Sequence, residues 1–333
     1  MAKVKNHHSK SFFDFFPAPR FLKMSTVGLA LSDEAIRTIE LKGNSIGHEL
    51  GAHGEIALEN GIIESGYIND IPALARVLKE LKNRKNLSFV RASLPEEKGY
   101  IFTLRIPRLS YKEMRSNIEF SIEENVPVKL ADVIFDFNII PDTEDEKGSV
   151  EVAVSVLPLK AVDAYVEALK SADIEPVAFE VESQAIARAV IEREDKGVFV
   201  VVNLSSHKAG LYIVTKGIVV FSSTVLLSDD SLAGLAMESF ITKEIQKILL
   251  FWETHGNVSM KKSQHVSGVR VVGSHSNWNA IVEHLIGELT IPVIVPDVWM
   301  NAFSVDTYVP DITKEDSLRF AAAVGLALPM SNE

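Results

Sequence analysis

The chain has 333 residues, 47% of them apolar, which is enough for two ordinary domains with substantial cores. A net charge of −11 excludes a surface built to displace counterions from a phosphate backbone, so no nucleic acid is expected as a partner. The absence of cysteine excludes disulfides and thiolate metal sites, and no apolar run reaches the ~20 residues that cross a bilayer.

Residues 1–23 read as a tail. A basic leader is followed by Phe12, Phe13, Phe15, Phe16 and Phe21, interrupted by Asp14, Pro17, Pro19 and Arg20, so there is no continuous signal-peptide core. The expected compartment is the cytoplasm. An aromatic and basic segment of this kind suits a foot on a membrane surface or an arm docked on its own domain.

From Met24 to Leu41 apolar alternation predicts a hairpin, with a further strand near Glu55–Leu58. Asp70 reads as the N-cap of a helix with Leu74, Val77, Leu78 and Leu81 on one face. Strands are expected at Leu87–Ala92 and Ile101–Ile106. Pro107 marks a break. Ser110 then opens a helix carrying Met114, Ile118, Phe120 and Ile122, followed by strands at Val133–Ile140 and Val150–Val156 and a helix at Lys160–Ser171. Residues 107–174 therefore read as a helix-strand-strand-helix module inserted in the first half. A strand at Pro176–Glu180 and a helix at Ser183–Arg193 return the chain to the first domain, and Glu192–Gly197 forms the boundary.

The second half repeats the first. Val198–Ser206 and Ala209–Val214 predict another hairpin, Ile218–Leu227 a third strand, and Leu232–Trp252 a long helical stretch. Gly268–Gly273, Asn277–Leu289 and Pro292–Val295 read as strand, helix and strand, and Ser317–Leu328 as a closing helix. No P-loop and no nucleophile elbow occurs. His7 and His8 lack convergent partners, Glu123 and Glu124 read as a solvated face, and His207 with His275 has no matched carboxylate.

Two strand-hairpin domains with a module inserted in the first resemble the actin-like ATPase superfamily, a duplicated ribonuclease H-like α/β fold. The domains expected on that basis are residues 24–194, with the insertion at about 107–174, and residues 195–333 with the closing helix. Three further stretches narrow the resemblance: Ile106-Pro107-Arg108-Leu109-Ser110, Ser121-Ile122-Glu123-Glu124-Asn125-Val126-Pro127 and Asp136-Phe137-Asn138. They are similar to the entry, helix end and strand of the module in the PilM family of type IV pilus inner-membrane accessory proteins, relatives of FtsA.

That family carries phosphate loops of the form Gly-Ile-Asp-Ile-Gly-Ser and Val-Asp-Ile-Gly-Ala, and a Gly-rich adenosine turn. The matching positions here are Gly28, Ala30, Ser32 and Asp33, then Asn203, Ser205 and Ser206, then Gly273 and Ser274. Mg²⁺ favours anionic oxygen, which Ala30 lacks, and Ser205 adds a Cβ where backbone should approach a phosphate. The resemblance thus implies a degenerate nucleotide cleft with no catalytic residues and no resident cofactor, ATP and Mg²⁺ being doubtful ligands. The subdomain usual before the long helix of the second domain is reduced to Ser228–Phe240.

The function implied is a cytoplasmic scaffold at the inner face of the inner membrane, for a type IV pilus or a related secretion or DNA-uptake machine. Its implied partner is the N-terminal peptide of a PilN-like bitopic protein, with a PilB-like assembly ATPase and self-association as further options. The peptide groove is placed on the module helix bearing Arg115, Asn117 and Glu119 and the strand edge near Arg105. The rival readings are a working actin-like ATPase, with Asp33 in place of the missing carboxylate and the amides of Ser205 and Ser206 holding phosphate, and an FtsA-like polymer anchor.

Overall fold

The computed structural model describes residues 27–43, 48–85, 87–232, 234–256, 265–304 and 306–329. The expectations for residues 1–23 and for the start of the first hairpin lie outside these.

The first domain is built on a sheet whose strands are β1 (Val27–Leu31), β2 (Ala35–Gly43), β3 (His48–Ala57), β6 (Phe89–Leu94) and β10 (Glu175–Val181). Its order is β10-β6-β1-β2-β3. The chain first makes the antiparallel run β1-β2-β3, then a minor hairpin, β4 (Ile63–Glu64) and β5 (Tyr67–Ile68), then helix α1 (Ile71–Lys85) and the parallel strand β6. Asp70 caps α1, accepting from the Ala73 amide at 2.8 Å.

The second sheet contains β11 (Val198–Leu204), β12 (Lys208–Thr215), β13 (Ile218–Leu226), β14 (Val266–Gly273) and β15 (Val293–Ile294), in the order β13-β12-β11-β14-β15. Strand for strand this is the first sheet again, with the same directions. β3 spans ten residues, longer than the predicted Glu55–Leu58, because Gly51 and Gly54 interrupt the apolar alternation that marks a strand in sequence.

β1 and β11 are central strands covered on both faces, so they read as almost continuously apolar. Val27, Leu29 and Leu31 face a core with α1 and α3 (Leu159–Ser171). Ala30, on the alternate face, joins α4 (Glu182–Val190) and α7 (Ala321–Ala327). From the other sheet, Phe199 and Val201 enter that same core. Val198, Val200, Val202 and Leu204 instead face α5 (Met237–Phe251) and α6 (Trp278–Glu288). The molecule is thus layered: outer helices, sheet, an inner pair α4 and α7, sheet, outer helices.

The inserted module is a three-stranded antiparallel sheet, β7 (Tyr100–Pro107), β9 (Ser149–Pro158) and β8 (Val133–Ile139), in the order β7-β9-β8, with α2 (Tyr111–Asn125) on one face. Its limits differ from the predicted 107–174. The strand at 101–106 pairs with β9 and belongs to the module, whereas α3 packs with α1 in the first domain. Strand partners are tertiary information, which the apolar pattern of a single strand does not carry.

Two more expectations are corrected. The closing helix does not complete the second domain alone: α7 lies on β1 and β2 of the first, and the Arg91 guanidinium donates to the Leu328 carbonyl at 2.9 Å. Phe120 is 83% exposed, because the buried stripe of α2 runs Met114, Ile118, Ile122 and leaves residue 120 on the opposite side.

Candidate functional site

The two first turns of the duplicated hairpins meet across a cleft between the domains. Ser32, Asp33, Asn203, Ser205, Gly273 and Ser274 line one pocket there, whereas Gly28 and Ser206 do not. The pocket holds about 50 Å³, room for roughly three to five waters.

Each loop is closed on itself. Ser32 donates from its amide to the Ala35 carbonyl at 3.1 Å and from its hydroxyl to the same oxygen at 2.9 Å. The Ser205 amide donates to the Lys208 carbonyl at 2.9 Å, the Ser206 amide to Glu34 Oε1 at 2.7 Å, and the Ser274 amide to the Leu204 carbonyl at 2.8 Å. The amides expected to receive a phosphate therefore already have protein acceptors.

Gly28 is reassigned altogether. It sits within β1, facing α7, where a Cβ would lie well inside contact distance of the Ala323 carbonyl and 2.7 Å from the Ala327 amide nitrogen. It permits close helix packing and is not part of a phosphate loop. Gly273 has φ +100°, and a Cβ there would meet the Leu204 backbone, so glycine is required to turn the chain out of β14.

Sequence reasoning missed the charged groups that fill the cleft. Lys208, at the start of β12, reaches across to the first domain and pairs with Glu97 and, at 3.2 Å, with Asp33. Asp33 also accepts from the amides of Ser65 at 3.1 Å and Gly66 at 3.4 Å. Glu96 accepts from the Ser183 amide at 2.9 Å and hydrogen-bonds the Tyr212 phenol, which itself meets Asn203. Gly210 leaves the space over which that phenol lies. Glu34 and Glu182 line the pocket too, with Arg37 and Arg319, so Lys208 is one of three cations among five carboxyls. The available signal was the pair Glu96-Glu97, separated by one residue from the buried end of β6; in sequence it reads as a solvated turn.

This balance governs the titration of the cleft. Burial, and then the neighbouring Glu182 charge, push the Glu96 carboxyl up to about 8. Burial likewise raises Glu182 to about 7, against the pull of Lys208. Burial alone would lower Lys208, but Glu97, Asp33 and Glu182 outweigh it and hold the ammonium above the usual lysine range. The folded state therefore keeps protons on Glu96 and Glu182 that the unfolded chain releases near pH 4.5. Where the folded state binds more protons, stability falls as pH rises.

Stability is accordingly expected to decline between about pH 5 and pH 8, with a slope of up to ~1.4 kcal/mol per pH unit for each proton. His275, lowered by burial, opposes this below its ordinary value of 6.5. Urea denaturation across the range should show the decline in the native chain and a shallower one in Glu96→Gln. An unchanged slope in that variant would exclude Glu96 as its source.

The residues assigned to a partner groove are not gathered in one place. Arg105 is opposite Glu151 in the register and pairs with Asp145 at 3.4 Å, on the sheet face away from α2. Arg115 lies over the Phe135 ring at 4.1 Å and donates to its carbonyl, and it also pairs with Glu119 at 3.9 Å. The Asn117 side chain donates to the Glu113 carbonyl. Arg115, Asn117 and Glu119 thus share α2, while Arg105 stands behind the sheet.

Two sheets of identical order, a helix pair between them and a cleft where their first turns meet define the actin-like class of two-domain proteins. The family model for the type IV pilus assembly protein PilM matches residues 28–233, and the chain belongs to that family. Among solved structures, the PilM-PilN type IV pilus biogenesis complex is similar at 20% identity, with a TM-score of 0.76 over 91% of this chain and 98% of that one. Weaker likenesses, both at TM-score 0.49, are to the ethanolamine utilization protein EutJ of Carboxydothermus hydrogenoformans and the cytoplasmic domain of EpsL from Vibrio cholerae. EutJ has 13% identity over 92% of this chain and 89% of that one, and EpsL 11% over 90% and 94%. A comparison with curated proteins finds no match. No helix among the described residues is long and apolar enough to cross a membrane.

Proposed function

We propose that the chain acts as a scaffold of a type IV pilus assembly machine, held at the inner face of the inner membrane by the N-terminal peptide of a PilN-like protein, and that it works without hydrolysing ATP. The observation that carries the second part is the occupied cleft. Lys208 spans the domains where a metal and phosphates would have to sit, and its ammonium is already paired with Asp33 and Glu97 from the opposite domain. A space of about 50 Å³ is also far below the ~300 Å³ or more of typical ligand pockets. Ala30, buried against α4 and α7, offers no oxygen to a metal.

The first part rests on membership of the family and on the fold shared with the PilM-PilN complex. A peptide site needs shape and backbone pairing, and it survives the loss of phosphate loops. The module helix α2 leaves Phe120 83% exposed on the face away from the sheet, a large apolar side chain that such a peptide can cover.

Calorimetric titration with ATP and Mg²⁺ to millimolar concentration should show no metal-dependent heat, and micromolar binding would overturn the nucleotide-free reading. Separately, a PilN-like N-terminal peptide should be retained by the folded protein and at least tenfold less well by Phe120→Ser. Failure of the native protein to retain it would remove the scaffold assignment in this form.

A further inference from the structure

A second cavity, of about 410 Å³, lies in the segment between β15 and α7. Trp299, Val309, Pro310 and Ile312 form its apolar walls, and Asp297 and Asp311 stand among them. Its volume is that of a binding pocket and well beyond a packing defect. Val309 is 80% exposed, a large apolar side chain left in water at the mouth. Trp299 is 2% exposed and stacks on Phe303, yet its buried indole N–H has no acceptor among the described residues.

The charge around the cavity is mainly negative, although Lys314 stands on its wall and Asp316 is paired with Arg319 at 2.6 Å. From Pro296 to Asp316 the chain carries Asp297, Asp306, Asp311, Glu315 and Asp316 against Lys314 alone. Residues 1–23 have the opposite character: Lys3, Lys5, Lys10, Arg20 and Lys23 against Asp14 alone, together with five phenylalanines. The geometry lets the two meet. Val27 pairs with Glu40 on β2, the next residue Leu41 pairs with Leu50 on β3, and the Leu50 carbonyl accepts from the Tyr308 hydroxyl at 3.5 Å. His53 on β3 approaches Asp311 at 3.8 Å. Strands lie about 4.8 Å apart, so the start of β1 is about 10 Å from the strand that touches this segment. Six residues from Phe21 to Val27 reach up to ~20 Å.

We propose that this cavity is the docking site of the chain's own N-terminal segment. A phenylalanine ring fills the space between Trp299, Val309 and Ile312, and the flanking lysines and arginine face Asp297 and Asp311. A short tether gives the contact a high local concentration, so it needs little intrinsic affinity.

The absence of cysteine makes the test direct. Phe12→Cys, Phe16→Cys and Phe21→Cys are each combined with Val309→Cys in the full chain and exposed to a mild oxidant. A parallel set replaces Val309→Cys by Ile286→Cys, on the exposed face of α6. At least one arm position should form an intramolecular disulfide with residue 309 ten times faster or more than with residue 286, and Asp311→Lys should slow it severalfold. Equal rates at 309 and 286, cross-links found only between two molecules, or a rate indifferent to Asp311→Lys would overturn the assignment. So would anionic phospholipid vesicles that bind residues 1–23 while the Val309→Cys thiol stays fully open to an external thiol reagent before and after their addition.

Discussion

Gly325→Val is expected to abolish or severely weaken the folded state, by about 3 kcal/mol or more. A Cβ at this position would fall well inside contact of the Ala185 carbonyl, backbone against backbone, where no side chain can swing aside. α4 and α7 meet here as the inner pair, and both are pinned. The Arg188 guanidinium donates to the Gly325 carbonyl at 2.8 Å, and the Gln184 side chain bonds the backbone of Gly217 and Val219 in the second sheet. A helix pushed away from α4 would open the core that Phe199 and Val201 share with Ala30. Denaturant titration followed by far-ultraviolet circular dichroism would measure the loss. A variant within ~1 kcal/mol of the native chain would mean that α7 is free to shift, contrary to the packing described.

Lys208→Met is expected to destabilise the native state by about 2–4 kcal/mol at pH 8, a figure reduced from the usual cost of breaking a buried pair because the cleft is partly solvated. Asp33 and Glu97 would lose their cation while Glu96 and Glu182 stay close by. The loss should shrink on acidification toward pH 5, where Glu96 and Glu182 carry protons and add no charge to the uncompensated pair. Glu97→Gln should be milder, because Lys208 keeps Asp33. Thermal denaturation at pH 5 and pH 8 distinguishes this from simple loss of packing, which would give the same deficit at both.

Much of the architecture was legible in sequence because each half contains two strong local signals. The apolar runs of β1 and β11 mark central strands, and the turns after them recur with the same spacing. The 3.6-residue stripe of α1 and the capping pair Ser110 and Glu113, with the Ser110 amide donating to Glu113 at 3.1 Å, are equally local. Partnership between distant elements was not legible. Tyr100–Pro107 looks like any strand until β9 is found beside it, and Ala321–Ala327 is apolar all round without naming the sheet it covers.

The site was legible by subtraction alone. Ala30 and Ser205 told what phosphate-loop chemistry was missing, but Lys208, Glu96, Glu97 and Glu182 gave no sign of what had taken its place. Their meaning depends on segments brought together across 87 to 175 positions of chain. Gly28 shows the reverse error: a glycine matched to a nucleotide motif is retained here for helix packing.

The position of α7 on the first sheet also bears on biosynthesis. β1 and β2 are made before every other described strand, yet the helix that covers one of their faces is the last described element. At about 5–20 residues per second, the residues between the end of α4 and α7 take on the order of ten seconds to emerge. During that interval the nascent first domain presents Ala30, Ile39 and Leu41 uncovered. The first domain therefore cannot finish folding on the ribosome ahead of the second. Completion waits for α7 to close onto β1 and β2, a slow long-range step that leaves an apolar face open to chaperones in the meantime.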